Sequence, residues 1–292
     1  MPERSRSATE WQTGLVPVAK NTYAYIQASG RAGISNAGLI VGPDRAIVLD
    51  TLATTPMAMD FIAGIRRVTD RPVNEVLLTH HHVDHILGIQ NFLPARVICH
   101  SRCRQEIIAN GMDLPERWAK RRPQFAAGLT GIRVCLPDET FDDRVTFYLG
   151  ERVVEFFHPG VPAHTAGDAM LHLPAERVLF AGDIFFYRVV PAGFQGHIGH
   201  WIEVIDRVLA MEDVEVVVPG HGPVGTKREL TETRDCLALI YEAARRAFDR
   251  GLTPEEAWNI LDLGPFADWA DAEERATEDI RRCYQEFRGE LG

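Results

Sequence analysis

Residues 79–85 read Thr79-His80-His81-His82-Val83-Asp84-His85, placing four imidazoles and a carboxylate in one short segment. The run follows the apolar stretch Val73-Asn74-Glu75-Val76-Leu77-Leu78 and precedes the apolar Ile86-Leu87-Gly88-Ile89. Burying that many polar rings without partners is costly. A divalent metal removes the cost, because imidazole and carboxylate are ligands for first-row transition ions. A turn at the end of a strand can aim alternate side chains, His80 and His82, at one point, with Asp84 and His85 facing a neighbouring one. The competing reading is a solvated histidine-rich loop. Three more residues weigh against it, each where a strand should end: His164 in GVPAHTAGD, Asp183 in VLFAGD and His221 in VVVPGHGP.

These side chains need a framework of strands to bring them together. From residue 15 to about 50, short β-branched and aromatic runs separated by Gly, Asn, Pro and Asp turns predict an antiparallel meander. A helical-period stretch (PMAMDFIAGIRRVT) and the strands VNEVLL and RVIC then alternate, which implies helices packed on a sheet. Residues 101–130 read as polar helix with Pro and Gly breaks. Strands return at RVTFYL, RVVEFF, AMLHLP and RVLFAG, followed by a loop at 184–198, a helix over about 199–211 and the strand VEVVVP. After residue 225 the pattern is long amphipathic helices, one opened by a Thr253-x-x-Glu256 capping box. The fold class expected is α/β, a four-layer sandwich with helices outside two sheets. A catalytic core over 1–225 carries a helical C-terminal extension over 226–292, packed on the core through Leu237, Leu239, Ile240, Ala244 and Phe248. Gly220-His221-Gly222-Pro223-Val224-Gly225 spells G-x-G-x-x-G after a strand, but the helices downstream leave no βαβ unit for a dinucleotide.

The order H-x-H-x-D-H at His80, His82, Asp84 and His85, with His164, Asp183 and His221 following, resembles the metallo-β-lactamase superfamily of hydrolases over residues 15–225. The resemblance implies that His80, His82 and His164 hold a first metal, that Asp84, His85 and His221 hold a second, and that Asp183 bridges them. Asp50, in Val48-Leu49-Asp50-Thr51, resembles the family's early Asp, which steadies the ligand loop. Two Zn2+ ions are implied, although iron or manganese accept the same donors. Two cations about 3.5–4 Å apart lower the pKa of a bridging water to near neutrality and supply a hydroxide without a covalent intermediate. The implied reaction is hydrolysis of an activated carbonyl in a small molecule: a thioester, lactone, ester or strained amide.

Within that superfamily the pattern is closer to glyoxalase II and the lactonases than to true β-lactamases, which usually lack the bridging Asp. It departs from glyoxalase II where Ile86-Leu87-Gly88 replaces a Gly pair, and in a tail without an evident basic glutathione patch. The alternatives are a β-lactam hydrolase, a mononuclear iron persulfide dioxygenase of the same fold, and a non-catalytic metal-binding homologue. Superfamily lactonases place a Tyr shortly after the bridging Asp, and Tyr187 resembles it as a catalytic oxyanion donor. His197 and His200 are the alternative donors, with Phe185, Phe186, Phe194 and Trp201 as apolar walls.

Composition narrows the partners. A 292-residue chain with 46% hydrophobic and 25% charged residues can bury a large core. Its net charge of −10 and lack of Lys/Arg clusters argue against nucleic acid and anionic membranes. Five scattered cysteines (Cys99, Cys103, Cys135, Cys236 and Cys283) read as ordinary thiols in a reducing cytoplasm rather than a disulfide framework. The first fourteen residues are charged with no apolar run behind them, so neither a secretory signal nor an anchor is expected. An oligomer is compatible with all of these features.

Overall fold

A computed structural model describes residues 11–291; most of the N-terminal segment read above for a signal lies outside the described residues. The first half of the chain forms a seven-stranded sheet in sequence order, β1 (Gly14–Ala19), β2 (Thr22–Ile26), β3 (Ala37–Val41), β4 (Ala46–Leu49), β5 (Val73–Leu78), β6 (Arg96–His100) and β7 (Glu139–Phe141). The first four strands are the antiparallel meander expected, and β4 to β7 are parallel. Parallel pairing needs crossovers, and the chain supplies helices: α1 (Thr55–Val68), the short α2 (Val83–Ile86), α3 (Ser101–Asn110), α4 (Leu114–Arg121) and α5 (Ala126–Leu129). α1 starts cleanly because the Thr54 hydroxyl accepts from Met57 N and Pro56 occupies the first turn.

The second half forms a six-stranded sheet whose spatial order reverses the sequence order, β13 (Gly225–Thr226), β12 (Val216–His221), β11 (Val178–Phe186), β10 (Met170–Leu173), β9 (Arg152–Phe157) and β8 (Arg144–Leu149). β11 and β12 are parallel, joined through α6 (Ile198–Ala210). α7 (Lys227–Asp249), α8 (Pro254–Ile260) and α9 (Ala272–Phe287) complete the chain. Reciprocal capping boxes open α7 at Thr226/Glu229 and α8 at Thr253/Glu256.

Period-two alternation builds the layers. In β4, Ile47 and Leu49 face the second sheet, while Ala46 and Val48 face α1. In β11, Val178 and Phe180 face the first sheet, while Leu179 and Ala181 face the second half's helices. The result is three apolar layers, one between the sheets and one beneath each helical face, which is the four-layer sandwich. Leu237, Ile240 and Ala244 are buried in the helical layer, joined by Leu230, Cys236 and Ala247. Leu239 and Phe248 differ from expectation in being only half-buried, at the edges of the stripe. Among the described residues no helix is long and apolar enough to cross a membrane.

Candidate metal centre

The functional side chains gather where parallel strands end, the position at which open α/β sheets present loops to a ligand. β5 stops at Leu78, and the turn 79–85 delivers His80, His82, Asp84 and His85 from the first sheet. The second sheet delivers His164 from the loop between β9 and β10, His221 from the last residue of β12, and Asp183 from within β11. Asp183 was expected at a strand end. β11 instead runs on to Phe186, and its pairing with β12 slips between Gly182↔Pro219 and Phe186↔His221, so the carboxylate projects from an irregular stretch of a continuing strand. Gly220 stands opposite. A Cβ there would collide with Asp183 Oδ1, so only glycine admits the carboxylate.

The coordinating atoms form two adjoining groups, His80, His82, His164 and Asp183 in one and Asp84, His85 and His221 in the other, each with its atoms within 4.8 Å of one another. Asp183 touches both. Its Oδ2 lies 3.7 Å from His80 Nε2, 3.3 Å from His164 Nε2 and 3.4 Å from His221 Nε2, while its Oδ1 lies 3.2 Å from His85 Nε2. His221 Nε2 is also 3.4 Å from Asp84 Oδ2.

Outer partners aim the rings. His85 Nδ1 meets Asp50 Oδ2 at 2.8 Å, and Asp50 also accepts from Thr79 N and Oγ1 at 2.8 and 2.7 Å. His221 Nδ1 meets the Gly30 carbonyl at 2.8 Å, and Asp84 Oδ2 accepts from Gly33 N at 3.2 Å. His80 Nδ1 faces Thr79 Oγ1 at 3.0 Å. His82 Nε2 faces Gln195 Oε1 at 2.6 Å, leaving its Nδ1 3.0 Å from His164 Nε2.

Charge follows burial and neighbours. Burial pushes the Asp183 carboxyl up, but His221, His85, His80 and His164 outweigh it and hold it well below the usual range. Burial, reinforced by neighbouring imidazoles, drives His80 and His164 well below the ordinary value, and His82 shifts the same way. His85 goes against its burial, held well above the ordinary value by Asp183 and Asp50. A carboxylate kept ionised among imidazoles kept mostly neutral is the protonation state a cation requires of its ligands.

A metal fits these residues. His80 Nε2 is buried with no hydrogen-bond partner among the described residues, and the buried His85 Nε2 and Asp183 Oδ1 face each other at 3.2 Å outside hydrogen-bond geometry, all three aimed into the cluster. Polar atoms left so are expensive unless something else satisfies them. The family profile described as "Metallo-beta-lactamase superfamily" matches residues 30–221 and spans all seven side chains. This chain belongs to the metallo-beta-lactamase superfamily.

Superfamily relatives differ in what they cleave. The chain is 24% identical over 266 residues to a linear primary-alkylsulfatase from Pseudomonas sp. (strain ATCC 19151), covering 78% of this chain and 50% of the relative. It is 26% identical over 239 residues to a metallo-beta-lactamase type 2 from Bacillus sp. (strain 170), covering 77% and 84%. It is 25% identical over 229 residues to a hydroxyacylglutathione hydrolase from Mesorhizobium japonicum, covering 74% and 76%. Among solved structures, a sec-alkylsulfatase from Pseudomonas sp. superposes with a TM-score of 0.71 at 17% identity, covering 95% of this chain and 50% of that one. The chain thus spans half the length of these alkylsulfatase relatives. These superfamily relatives are hydrolases, and this chain carries a His/Asp cluster of the kind that could hold a metal.

A cavity of about 360 Å³ opens onto Asp84, Asp183, His82 and His221. Phe194, Val83, Leu114 and Trp118 give it apolar walls, and Arg121, Arg122 and the buried Arg275 line it alongside Glu274 and Glu278, Arg122 being paired with Glu274 at 2.7 Å. Of the expected walls, Phe194 is there, stacked on His82 with ring centroids 4.9 Å apart. Phe185, Phe186 and Trp201 are instead fully buried behind the ligands, because β11 continues through Phe186; Phe186 stacks flat on His221 at 5.0 Å. Tyr187 lies outside the cavity lining, with its ring 6.2 Å from Trp269 and its backbone N–H bonded to His221 O. His197 and His200 stack on each other at 3.5 Å beside Glu286, also outside the lining. Sequence reasoning missed Gln195, His81 as a cavity residue, and the arginines of α4 and α9. Only the RWAKRR run of α4 carried a visible signal.

Proposed function

We propose that this chain is a dinuclear metal-dependent hydrolase that cleaves an activated ester-type bond in a small molecule, a thioester, lactone or ester being the first candidate. The observation that carries the reading is the convergence of seven ligand-type side chains, six of them buried and four of them lining one cavity, with several polar atoms left unsatisfied. His80, His82 and His164 would hold one cation, Asp84, His85 and His221 the other, with Asp183 between them. Two divalent cations, zinc being the best match to this donor set, bring a water's pKa near neutrality and draw charge from the scissile group.

The chain's own residues do the rest. Asp84 is anchored through Gly33 N–H on one oxygen, and the carboxylate orients the attacking water. Val83, Leu114, Trp118 and Phe194 exclude bulk water from the reacting bond and receive an apolar segment of substrate. Arg121 and Arg122 at the rim orient an anionic substituent.

The same arginines favour a second reading, a sulfate ester, in keeping with the alkylsulfatases among the relatives. Metal analysis of protein purified without added metal, with a panel of thioesters, lactones, β-lactams and alkyl sulfates, tests both. Two metals per chain and turnover of a carbonyl substrate are expected. Turnover of alkyl sulfates alone selects the second reading, and one iron or no metal refutes the dinuclear hydrolase.

A further inference from the structure

The loop between β11 and α6 lies against one face of α9 and is held there at successive peptide groups. Arg275 Nη1 donates to Val190 O at 2.7 Å. Asp279 Oδ1 accepts from Gly193 N at 2.6 Å, in a contact so close that a Cβ on Gly193 would strike that same oxygen at 2.7 Å. Arg282 donates from Nε to Gly196 O at 2.5 Å and from Nη2 to Gln195 O at 3.1 Å. Positions 275, 279 and 282 are spaced four and three apart, so they form one polar stripe on the helix. Nothing in that stripe touches a metal ligand. Its effect is to fix the loop that does.

At the loop's tip Phe194 stacks on the His82 ring, and Gln195 Oε1 sits 2.6 Å from His82 Nε2 and 3.1 Å from His81 Nε2. An amide oxygen only accepts. His82 must therefore donate through Nε2, and the neutral ring then carries its lone pair on Nδ1, the atom 3.0 Å from His164 Nε2 inside the cluster. Left to itself a neutral imidazole populates both tautomers, and only one presents Nδ1 as a ligand.

We propose that α9 is a positioning element of the metal centre: Arg275, Asp279 and Arg282 fix the 190–196 loop so that Gln195 holds His82 in the Nδ1-ligating tautomer. The inference rests on the metal-centre reading above and adds to it that the C-terminal helix governs one ligand. None of the three α9 residues is a catalytic residue, and neither is Gln195.

The test separates this inference from the reading beneath it. Ring-nitrogen NMR on the metal-free full chain reports the His82 tautomer directly, and Zn2+ titration against a competing chelator reports affinity. The wild type is expected to show protonated Nε2 and bare Nδ1. Gln195→Leu is expected to mix the tautomers and weaken the first Zn2+ site by about 10–100-fold. Gln195→Glu keeps an acceptor and should retain both properties. Arg282→Met, which frees two carbonyls of the loop but leaves every ring in place, should weaken the same site by several-fold without moving the other. A Gln195→Leu chain with an unchanged tautomer and unchanged Zn2+ affinity overturns the inference. If wild type binds no Zn2+ at all, the metal-centre reading fails, and an Nε2-protonated His82 lost in Gln195→Leu would still support the positioning role.

Discussion

The two halves of the ligand cluster are built from the same residue types but anchored differently. Asp84, His85 and His221 are tied to buried groups: the Asp50 carboxylate at the end of β4 and, in the loop between β2 and β3, the Gly30 carbonyl and the Gly33 amide. His80, His82 and His164 have lighter support. His80 leans on the hydroxyl of its own neighbour Thr79, His82 on an exposed glutamine, and His164 Nδ1 has no hydrogen-bond partner among the described residues. The difference teaches that ligand identity does not fix site stiffness. The partner on the far side of each ring does, and here it ties one half to buried groups and the other to a neighbouring hydroxyl and an exposed loop glutamine.

Asp183 belongs to both halves, so changing it should erase the distinction and have the largest effect. Asp183→Asn is expected to lower turnover by about 10²–10³-fold, the equivalent of several kcal/mol of lost charge stabilisation, while moving the unfolding midpoint of the metal-free protein far less. Full turnover in that variant would remove Asp183 from the centre. Asp50→Ala should sharpen the contrast instead. Competition titration is expected to find the cation held by His85 bound about 10–100-fold more weakly and the one held by His80 weakened less, because Asp50 reaches His80 only through Thr79. Equal weakening of both would mean that the halves are mechanically one unit.

Acid should act mainly on the lighter half. Burial holds His80, His81, His82 and His164 below the ordinary histidine value, His81 at about 3. Below about pH 6.5 the unfolded chain takes up protons that these four refuse in the fold, so the metal-free protein loses stability as pH drops. His85 acts oppositely, adding stability below about pH 6.5 that is lost only as pH rises past its elevated value. The carboxyls of Asp50, Asp168, Asp279 and Glu278, raised mainly by burial, also favour the fold as pH falls. His100, His158 and His197 side with the first four, so seven lowered histidines outnumber the five opposing groups. Urea unfolding between pH 7.5 and 5 should show the midpoint falling, and a rising midpoint would contradict the assignment. The smallest effect belongs to the rim. Arg122 pairs with Glu274 at 2.7 Å on the surface, so Arg122→Ala should cost at most about 1 kcal/mol of stability. For an anionic substrate KM should rise several-fold with kcat nearly constant, and an unchanged KM would take Arg122 out of substrate binding.

What could be read from the sequence follows the same division. The histidine run, Asp50, His164 and the strand-end His221 were visible because each is a polar group of ligand type near an apolar strand, although His164 lies in the loop between β9 and β10 rather than at a strand end. The meander, the parallel crossovers and the C-terminal helices were visible because period and capping announce them. Gln195 was not, since nothing in Phe194-Gln195-Gly196 marks a partner for a histidine more than a hundred positions earlier. Its importance arises only when α9 folds the loop over. The expectation for Phe185, Phe186 and Tyr187 failed for a local reason: β11 continues past Asp183, so alternation turned two of these rings into packing behind the ligands and took the third out of the cavity.

Because four of the seven proposed ligands hang from the first sheet and three from the second, a metal pair held there would also be a rivet through the seam of the sandwich. His80 and His221 are 141 positions apart (221 − 80). Joining such distant points restricts the unfolded chain much as a long-range disulfide does, by an amount that grows slowly with the loop enclosed. The fastening differs from a disulfide in being set by solution conditions: its contribution rises with the logarithm of free metal over the dissociation constant. The resistance of this protein to proteases and heat would then be tied to metal supply, and chelation should open the molecule first between its two sheets.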